Sequence, residues 1–365
     1  MPGTFARPHP TPPNAGPPPP ARLTFVIVPR FNMATLITLI EPLRIANYLA
    51  SAPLYQWDIL SMEGERVPAS NGIDIAAAPV SDRNRRGELI FVLASWGAEH
   101  YANRDLFSWL RRQARDGARI CAVELGCYLL ARAGLLAGRR VATHWSWAPG
   151  FQEQFPEIAM SDQLFTLEEP VLTCAGGLAG VDMMLRLISD AHGASMAAEV
   201  ADQMLHHPIR PATAPQRRHQ APGPEAAQVP EGLPPLLREA VALIEGNIAD
   251  PLTVPMIAAA LNVSQRHLER QFRQAIGCTV VQFSTLVRLQ HARVLLISTP
   301  LSVREIATAT GFNALSHFSV AFRRCFGRRP SDYRQGWPDG DKAPSWPGTL
   351  AGFLDGLQQR HKSRT

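Results

Sequence analysis

Ile257-Ala258, Arg266-His267-Leu268, Phe272-Arg273 and Gly277 return further along the chain as Ile306-Ala307, Ser316-His317-Phe318, Phe322-Arg323 and Gly327. From the histidine onward the copies lie 50 positions apart, and before it the second copy carries one extra residue in its turn. Each copy reads as a short apolar helix, a tight turn (Leu261-Asn262-Val263, then Thr310-Gly311-Phe312) and a second helix with exposed polar positions. That is the pattern of a helix-turn-helix, whose second helix enters the DNA major groove. A single helical hairpin is common; a duplicated one within one segment is specific.

The charge of this segment agrees. Between Leu236 and Gln335 there are 12 Arg, no Lys and 6 acidic residues, an excess that could by itself supply the chain's formal +5. A compact basic domain attracts the phosphate backbone without regard to sequence. In the first reading helix Ser264 is the expected N-cap. Arg266, Glu269 and Arg270 share one face, while Leu268 and Phe272 point to the core. Arg can bond guanine O6 and N7 bidentately, and Glu can accept from cytosine N4. In the second helix the matching face is Ser316, Ser319 and Val320, which offers little bidentate readout. Its expected part is shape fit and phosphate contact, with Arg323, Arg324, Arg328 and Arg329 nearby. His267 and His317 read as packing residues.

At these residues a resemblance becomes specific. Leu301-Ser302-Val303 through Gly311-Phe312, His317-Phe318, Phe322-Arg323-Arg324, Phe326-Gly327 and Pro330-Ser331-Asp332-Tyr333-Arg334 resemble the C-terminal signature of the AraC family of transcriptional regulators. The match covers about Leu236 to Arg334. It implies a seven-helix domain that sets its two second helices into successive major grooves of one DNA face. Family members often carry Arg at the position of Val320, and this chain departs from that.

Composition divides the rest. The first 22 residues hold nine prolines and neither a core nor a signal-peptide h-region. The expected organisation is a Pro-rich tail over 1–22, a sensor domain over 23–206, a linker over 207–232, the DNA-binding domain over 233–335 and a flexible tail over 336–365. In that tail, Leu350 to Gln359 could form one short amphipathic helix with no assigned function. No apolar run approaches a membrane span. Five scattered cysteines argue against a disulfide framework and fit a reducing cytoplasm.

Within 23–206, short apolar segments alternate with helical patterns. Leu23 to Pro29, Gln56 to Met62, Glu88 to Ala94, Arg119 to Glu124 and Val171 to Ala175 read as strands. Met33 to Ala50 reads as a helix that kinks or restarts at Pro42. Arg104 to Asp116, Gly126 to Leu136, Ala179 to His192 and Ala194 to His206 are further helices. The fold class is therefore α/β, a mostly parallel, flavodoxin-like sheet sandwiched by helices, followed by an all-α domain with two helix-turn-helix motifs.

Ligands of such sheets bind outside the carboxyl ends of the strands. The turn Val123-Glu124-Leu125-Gly126-Cys127 lies there, an apolar strand entering a helix through a bend that needs Gly126. It has the form of a nucleophile elbow. With Gly134-Leu135-Leu136, Ala142-Thr143-His144-Trp145, Phe155-Pro156 and Thr173-Cys174-Ala175-Gly176-Gly177, it resembles the class I glutamine amidotransferase-like (PfpI-type) domain. Regulators joining that domain to an AraC-type domain form a known group. Enzymes of the superfamily place a Cys at the apex, where the thiolate is the nucleophile. Here the apex is Glu124. Cys127 sits in the following helix and Cys121 inside the strand, both as packing residues. The domain reads as a binding module rather than an enzyme, with no catalytic residues, metal or cofactor.

A carboxylate at this place suits a cationic ligand, and Trp96, Trp145 and Trp147 could supply aromatic faces. The ligand-binding set is Glu124, Leu125, Trp96, His144 and Trp145. Each has a plainer reading: Trp96 and Trp145 as core, Trp147 exposed or under a loop, Glu124 as a brace of the elbow, His144 as an anchor of its own loop. Relatives in the regulator group respond to amino acids and methylated amines. The expected partners are operator DNA, such an effector, RNA polymerase and a second copy of the chain, without a membrane. The alternatives are a hydrolase or hydratase with a DNA-binding tail, and an architectural DNA-binding protein whose first domain only dimerises.

Overall fold

The computed structural model describes residues 19–80, 89–216 and 234–334. The N-terminal prolines before residue 19, Glu88, residues 217–233 and the tail with Leu350 to Gln359 lie outside the described residues. Contacts divide the chain into two units, Met1–Gln216 and Arg217–Thr365.

The first unit runs β1 (Ala21–Ile27), α1 (Met33–Ala50), β2 (Tyr55–Ser61), β3 (Arg66–Pro68), β4 (Asp74–Ala76), β5 (Ala78–Pro79), β6 (Leu89–Ala94), α2 (Arg104–Arg115), β7 (Arg119–Glu124), α3 (Gly126–Arg132), β8 (Arg140–Val141), α4 (Ala148–Gln154), β9 (Ala159–Met160), β10 (Phe165–Thr166), β11 (Val171–Cys174), α5 (Ala179–His192) and α6 (Ala194–Gln203). The main sheet has the order β10-β11-β7-β6-β1-β2-β5. Only its β10–β11 pair is antiparallel. Sheet strands covered on both faces read as continuous apolar runs, and β6, Leu-Ile-Phe-Val-Leu-Ala, is buried at every position. Alternate residues Phe25, Phe91 and Val123 share one core with Leu39 and Leu43 of α1 and Met184 and Ile188 of α5. Val26, Val92 and Ala122, which point the other way, are equally buried.

Several boundaries differ from the sequence reading. α1 continues through Pro42 rather than restarting. α3 stops at Arg132, short of Leu136, because Gly134 turns left-handed at φ 74° and Leu135 N–H folds back onto Leu130 C=O at 2.9 Å. α6 stops at Gln203, short of His206, where Leu205 takes φ 52°.

The largest correction concerns 207–216, read above as the start of the linker. These residues form a strap packed on the first unit. Asp182 of α5, fully buried, accepts from His206 Nε2 at 2.8 Å and from Arg210 Nε at 3.0 Å and Nη2 at 2.6 Å. Ala212 and Ala214 pack on the core, and Pro215 bridges Gln163. Proline-rich composition suggested an exposed linker, but polar anchors 24 and 28 residues apart in the chain hold the segment down.

Among the described residues the second unit contains seven helices: α7 (Pro235–Gly246), α8 (Val254–Ala260), α9 (Gln265–Ala275), α10 (Val280–Ser298), α11 (Val303–Ala309), α12 (Leu315–Phe326) and α13 (Pro330–Arg334). α8–α9 and α11–α12 are the two helix-turn-helix motifs. Their turns use the same backbone solution at matching positions, with Asn262 at φ 53° and Gly311 at φ 72°. Both second helices also end before a left-handed glycine, Gly277 at 80° and Gly327 at 73°. Leu268 and Phe272 fill a core with α7 and Phe283; Phe318, Phe322 and Phe326 fill another with Leu289, Leu295 and Leu296. α10 supplies residues to both, so one helix carries the two motifs.

Candidate effector site and nucleic-acid interface

β7 delivers Glu124 to the carboxyl edge of the sheet, and the chain must then reverse into α3 at once. Glu124 itself absorbs the bend at φ 58°, a conformation costing a non-glycine residue roughly 1–2 kcal/mol. Gly126 permits it, because a Cβ there would sit 2.2 Å from Val92 C=O on the neighbouring strand. Gly176 covers the turn from β11 with equally little room; its Cβ would lie 2.9 Å from that of Glu124.

The carboxyl group is gripped entirely by neutral donors. Oε1 accepts from Asn32 Nδ2 at 3.4 Å and Ser95 Oγ at 3.2 Å, and Oε2 from Thr35 Oγ1 at 3.4 Å. These come from the start of α1 and the end of β6. Asn32 has a second task, since its Oδ1 caps α1 by accepting from Ala34 N–H at 3.0 Å. Glu124 is only 9% exposed, and burial raises its pKa to about 7 against the lowering pull of the three donors. Its backbone C=O accepts from Thr143 Oγ1 at 2.6 Å, which joins the elbow to the loop carrying His144 and Trp145.

The expected ligand residues fare unequally. Trp96 follows Ser95 at the same sheet edge and is half-buried. Trp145 is 46% exposed, with its ring centroid 5.7 Å from that of His144. His144 Nδ1 meets Ser146 Oγ at 2.8 Å and accepts from Ser146 N–H, so this nitrogen anchors its own loop. Burial lowers the His144 pKa to about 4 and keeps the ring neutral. Leu125 is a correction: its side chain is fully buried and its N–H is spent on Ala94 C=O at 3.0 Å, so no group of it faces a ligand. Trp147 is buried, its C=O accepting from the Tyr128 phenol Oη at 3.3 Å. Cys121 and Cys127 are fully buried in apolar surroundings that keep their thiols protonated, the latter with its pKa pushed up to about 12.

In the second unit Ser264 caps α9 by accepting from His267 N–H at 3.2 Å. Arg266 and Arg270 are exposed, and Arg270 Nη2 meets His267 Nδ1 at 3.1 Å, which steadies the guanidinium. Glu269 departs from its expected role. Its Oε2 is buried without a hydrogen-bond partner, so the carboxylate is turned partly inward rather than held out beside the two arginines. On α12, Ser316, Val320, Arg323 and Arg324 are exposed and Ser319 is half-buried. His317 sets its ring edge against Phe312, 5.8 Å between centroids.

Arg288 of α10 was not anticipated. It donates Nε to Thr310 C=O at 2.7 Å and Nη2 to Gly311 C=O at 2.6 Å, while its guanidinium stacks 4.0 Å over Phe312. On the other side of that turn, Ile248 C=O and Ala249 C=O press so close that a Cβ on Gly311 would meet them at 2.8 and 2.7 Å. The second motif is thereby locked to the linking helix and to the loop before α8.

Two helix-turn-helix motifs on a shared helix, preceded by a mostly parallel α/β unit with a strained acidic turn at its carboxyl edge, define a DNA-binding regulator with an added α/β domain. A family profile described as a helix-turn-helix domain matches residues 257–336. The chain is 35% identical over 328 residues to the HTH-type transcriptional regulator GbdR of Pseudomonas aeruginosa, covering 90% of this chain and 88% of GbdR. With the HTH-type transcriptional regulator GlxA of Rhizobium meliloti it is 36% identical over 315 residues, covering 86% of this chain and 95% of GlxA. A solved THiJ/PfpI family protein from Pseudomonas syringae superposes with a TM-score of 0.45 at 17% identity, over 59% of this chain and 91% of that protein. The chain belongs to the AraC-type HTH transcriptional regulators. Among the described residues no helix is long and apolar enough to cross a membrane.

Proposed function

We propose that the first unit is a catalytically inactive sensor whose Glu124 carboxylate holds a cationic effector of the amino-acid or methylated-amine type, and that its occupancy controls operator binding by the second unit. The observation that carries this reading is the all-neutral grip on Glu124. A buried carboxylate with three neutral donors and, among the described residues, no cationic hydrogen-bond partner carries an uncompensated charge when ionised, and a cationic ligand supplies the missing partner. Trp96 and Trp145 supply aromatic faces for a quaternary ammonium group. A Glu in place of the superfamily thiol, with Cys121 and Cys127 sealed as protonated thiols, supports binding without covalent chemistry.

In the second unit Arg266 and Arg270 of α9 read bases, and Ser316, Ser319, Arg323 and Arg324 of α12 set its fit to the groove and phosphates. Glu269 contributes to readout only if its carboxylate swings out on binding. The protein acts in the cytoplasm as a homodimer that engages RNA polymerase, with 19–216 as sensor and 234–334 as reader. The test is a thermal-shift screen of the full chain at pH 8 against glycine betaine, carnitine, arginine and their neutral isosteres. A cation-specific rise of several degrees is expected, since a ligand at 100 times its Kd adds about 2.7 kcal/mol. Equal shifts with the neutral isosteres would sink the cationic reading.

A further inference from the structure

We propose that Gln216 is a positioning residue, a latch that holds the His144-Trp145 wall of the effector site and passes its state to the segment leading into the DNA-binding unit. This rests on the effector reading of Glu124. Gln216 is the last residue of the first unit, and the residues that follow belong to the second. Both hydrogens and the oxygen of its side-chain amide are engaged, two of the three bonds on the Thr143-Trp145 loop. Nε2 donates to Thr143 C=O at 2.9 Å and to Gln163 C=O at 3.0 Å, while Oε1 accepts from Trp145 N–H at 2.8 Å. Its own N–H donates to Asp162 C=O at 3.1 Å.

Thr143 is the residue whose hydroxyl bonds the Glu124 C=O at 2.6 Å. A continuous chain of contacts therefore runs from the elbow, through one residue of the loop, to the point where the strap leaves the first unit. Beyond the Asp182 cluster with His206 and Arg210, the strap is held by Leu164 N–H on the carbonyls of Ala212 and Ala214, by the Pro215–Gln163 bridge and, at its end, by Gln216. An effector that seats on Glu124 and Trp145 shifts the Thr143-Trp145 backbone, and the amide of Gln216 cannot keep its two bonds to a displaced loop together with its bond to Gln163 C=O. Release or tightening of that one side chain changes how the strap ends. Coupling of this kind is reciprocal: DNA binding must alter effector affinity by the same factor.

The experiment uses the full chain with an operator selected from random DNA, glycine betaine as the probe, and the variants Gln216→Ala and Gln216→Glu. The second keeps the size but sets carboxylate oxygens against two carbonyls. In wild type, betaine should change operator affinity by roughly 5- to 150-fold. In both variants that ratio should fall to within about twofold of one, while betaine still raises the melting temperature and operator affinity without betaine is unchanged. In Gln216→Ala, hydrogen exchange at the Trp145 amide, whose acceptor is removed, should speed up about tenfold or more. A merely structural Gln216 would lower the melting temperature and leave the ratio intact, and a wild-type ratio in both variants overturns the latch. If betaine neither stabilises wild type nor alters its DNA affinity, the betaine reading of Glu124 fails separately. The latch then stands or falls on hydrogen exchange, with unchanged exchange at Trp145 in Gln216→Ala refuting it.

Discussion

Replacing Glu124 by Gln removes one ionisable group while keeping the hydrogen-bond geometry nearly intact. The new Oε1 still accepts from Asn32 and Ser95, and the Nε2 donates to the hydroxyl of Thr35, which can rotate. Burial raises the Glu124 pKa from an ordinary 4.5 to about 7, so the folded state binds a proton that the unfolded chain has lost over this range. Where the native state binds more protons, stability falls as pH rises. The wild-type protein is therefore expected to be most stable below pH 4.5 with respect to this group, to lose stability between 4.5 and 7, and to lose no more above 7. The full difference corresponds to about 3 kcal/mol. Glu124→Gln carries no such term, so it should match wild type near pH 5 and exceed it by up to about 3 kcal/mol at pH 8. Urea unfolding of both proteins at pH 5, 6, 7 and 8 measures this directly. Effector binding should show the opposite trend in wild type. Only about a tenth of the carboxyl is ionised one pH unit below its pKa, so betaine should bind about tenfold more weakly at pH 6 than at pH 8. The substitution should remove this pH dependence and weaken binding about 10- to 100-fold. Parallel stability curves for the two proteins across this range would refute the argument that Glu124 carries an uncompensated buried charge.

Three further outcomes are expected. Gly311→Ala should destabilise the second unit by about 2–4 kcal/mol, combining a left-handed backbone penalty with overpacking against two carbonyls, and calorimetry of the full chain should show the loss in one transition only. Arg270→Ala should relax one operator position at a cost of about 1–3 kcal/mol, whereas Arg328→Ala should weaken all sequences alike; binding selections with both variants decide it, and an unchanged preference for Arg270→Ala would remove that residue from base readout. Operator affinity of the full chain should fall about 10³-fold or more between 50 and 200 mM salt, as gel shifts at several ionic strengths can measure, because several exposed arginines displace counterions.

The two helix-turn-helix motifs were legible in the sequence because their determinants are local. An apolar pair, a left-handed turn residue, a capping serine and phenylalanines at helical spacing act within about 20 residues, and duplication made the pattern visible twice. The parallel strands were legible for a similar reason, since burial on both faces leaves an apolar run that needs no partner to be recognised. Glu124 at the elbow could be found from Gly126 two residues on. Its surroundings could not. Asn32, Thr35, Ser95 and Thr143 reach it from 92, 89, 29 and 19 residues away, and no local pattern marks a neutral hydroxyl as the partner of a particular carboxylate. The same holds for Leu125, whose neighbour's role says nothing of its own burial, and for Glu269, whose helical face is right but whose carboxylate turns inward. The strap over 207–216 was misread because composition registers prolines and alanines but not Asp182, buried on another helix and waiting for Arg210. What the sequence by itself determined was the set of elements and the residue at the apex, since those follow from spacing along the chain. What only the tertiary structure decided was which side chains meet, because hydrogen-bond partners are selected by proximity in space after the sheet has brought distant strand ends to one edge.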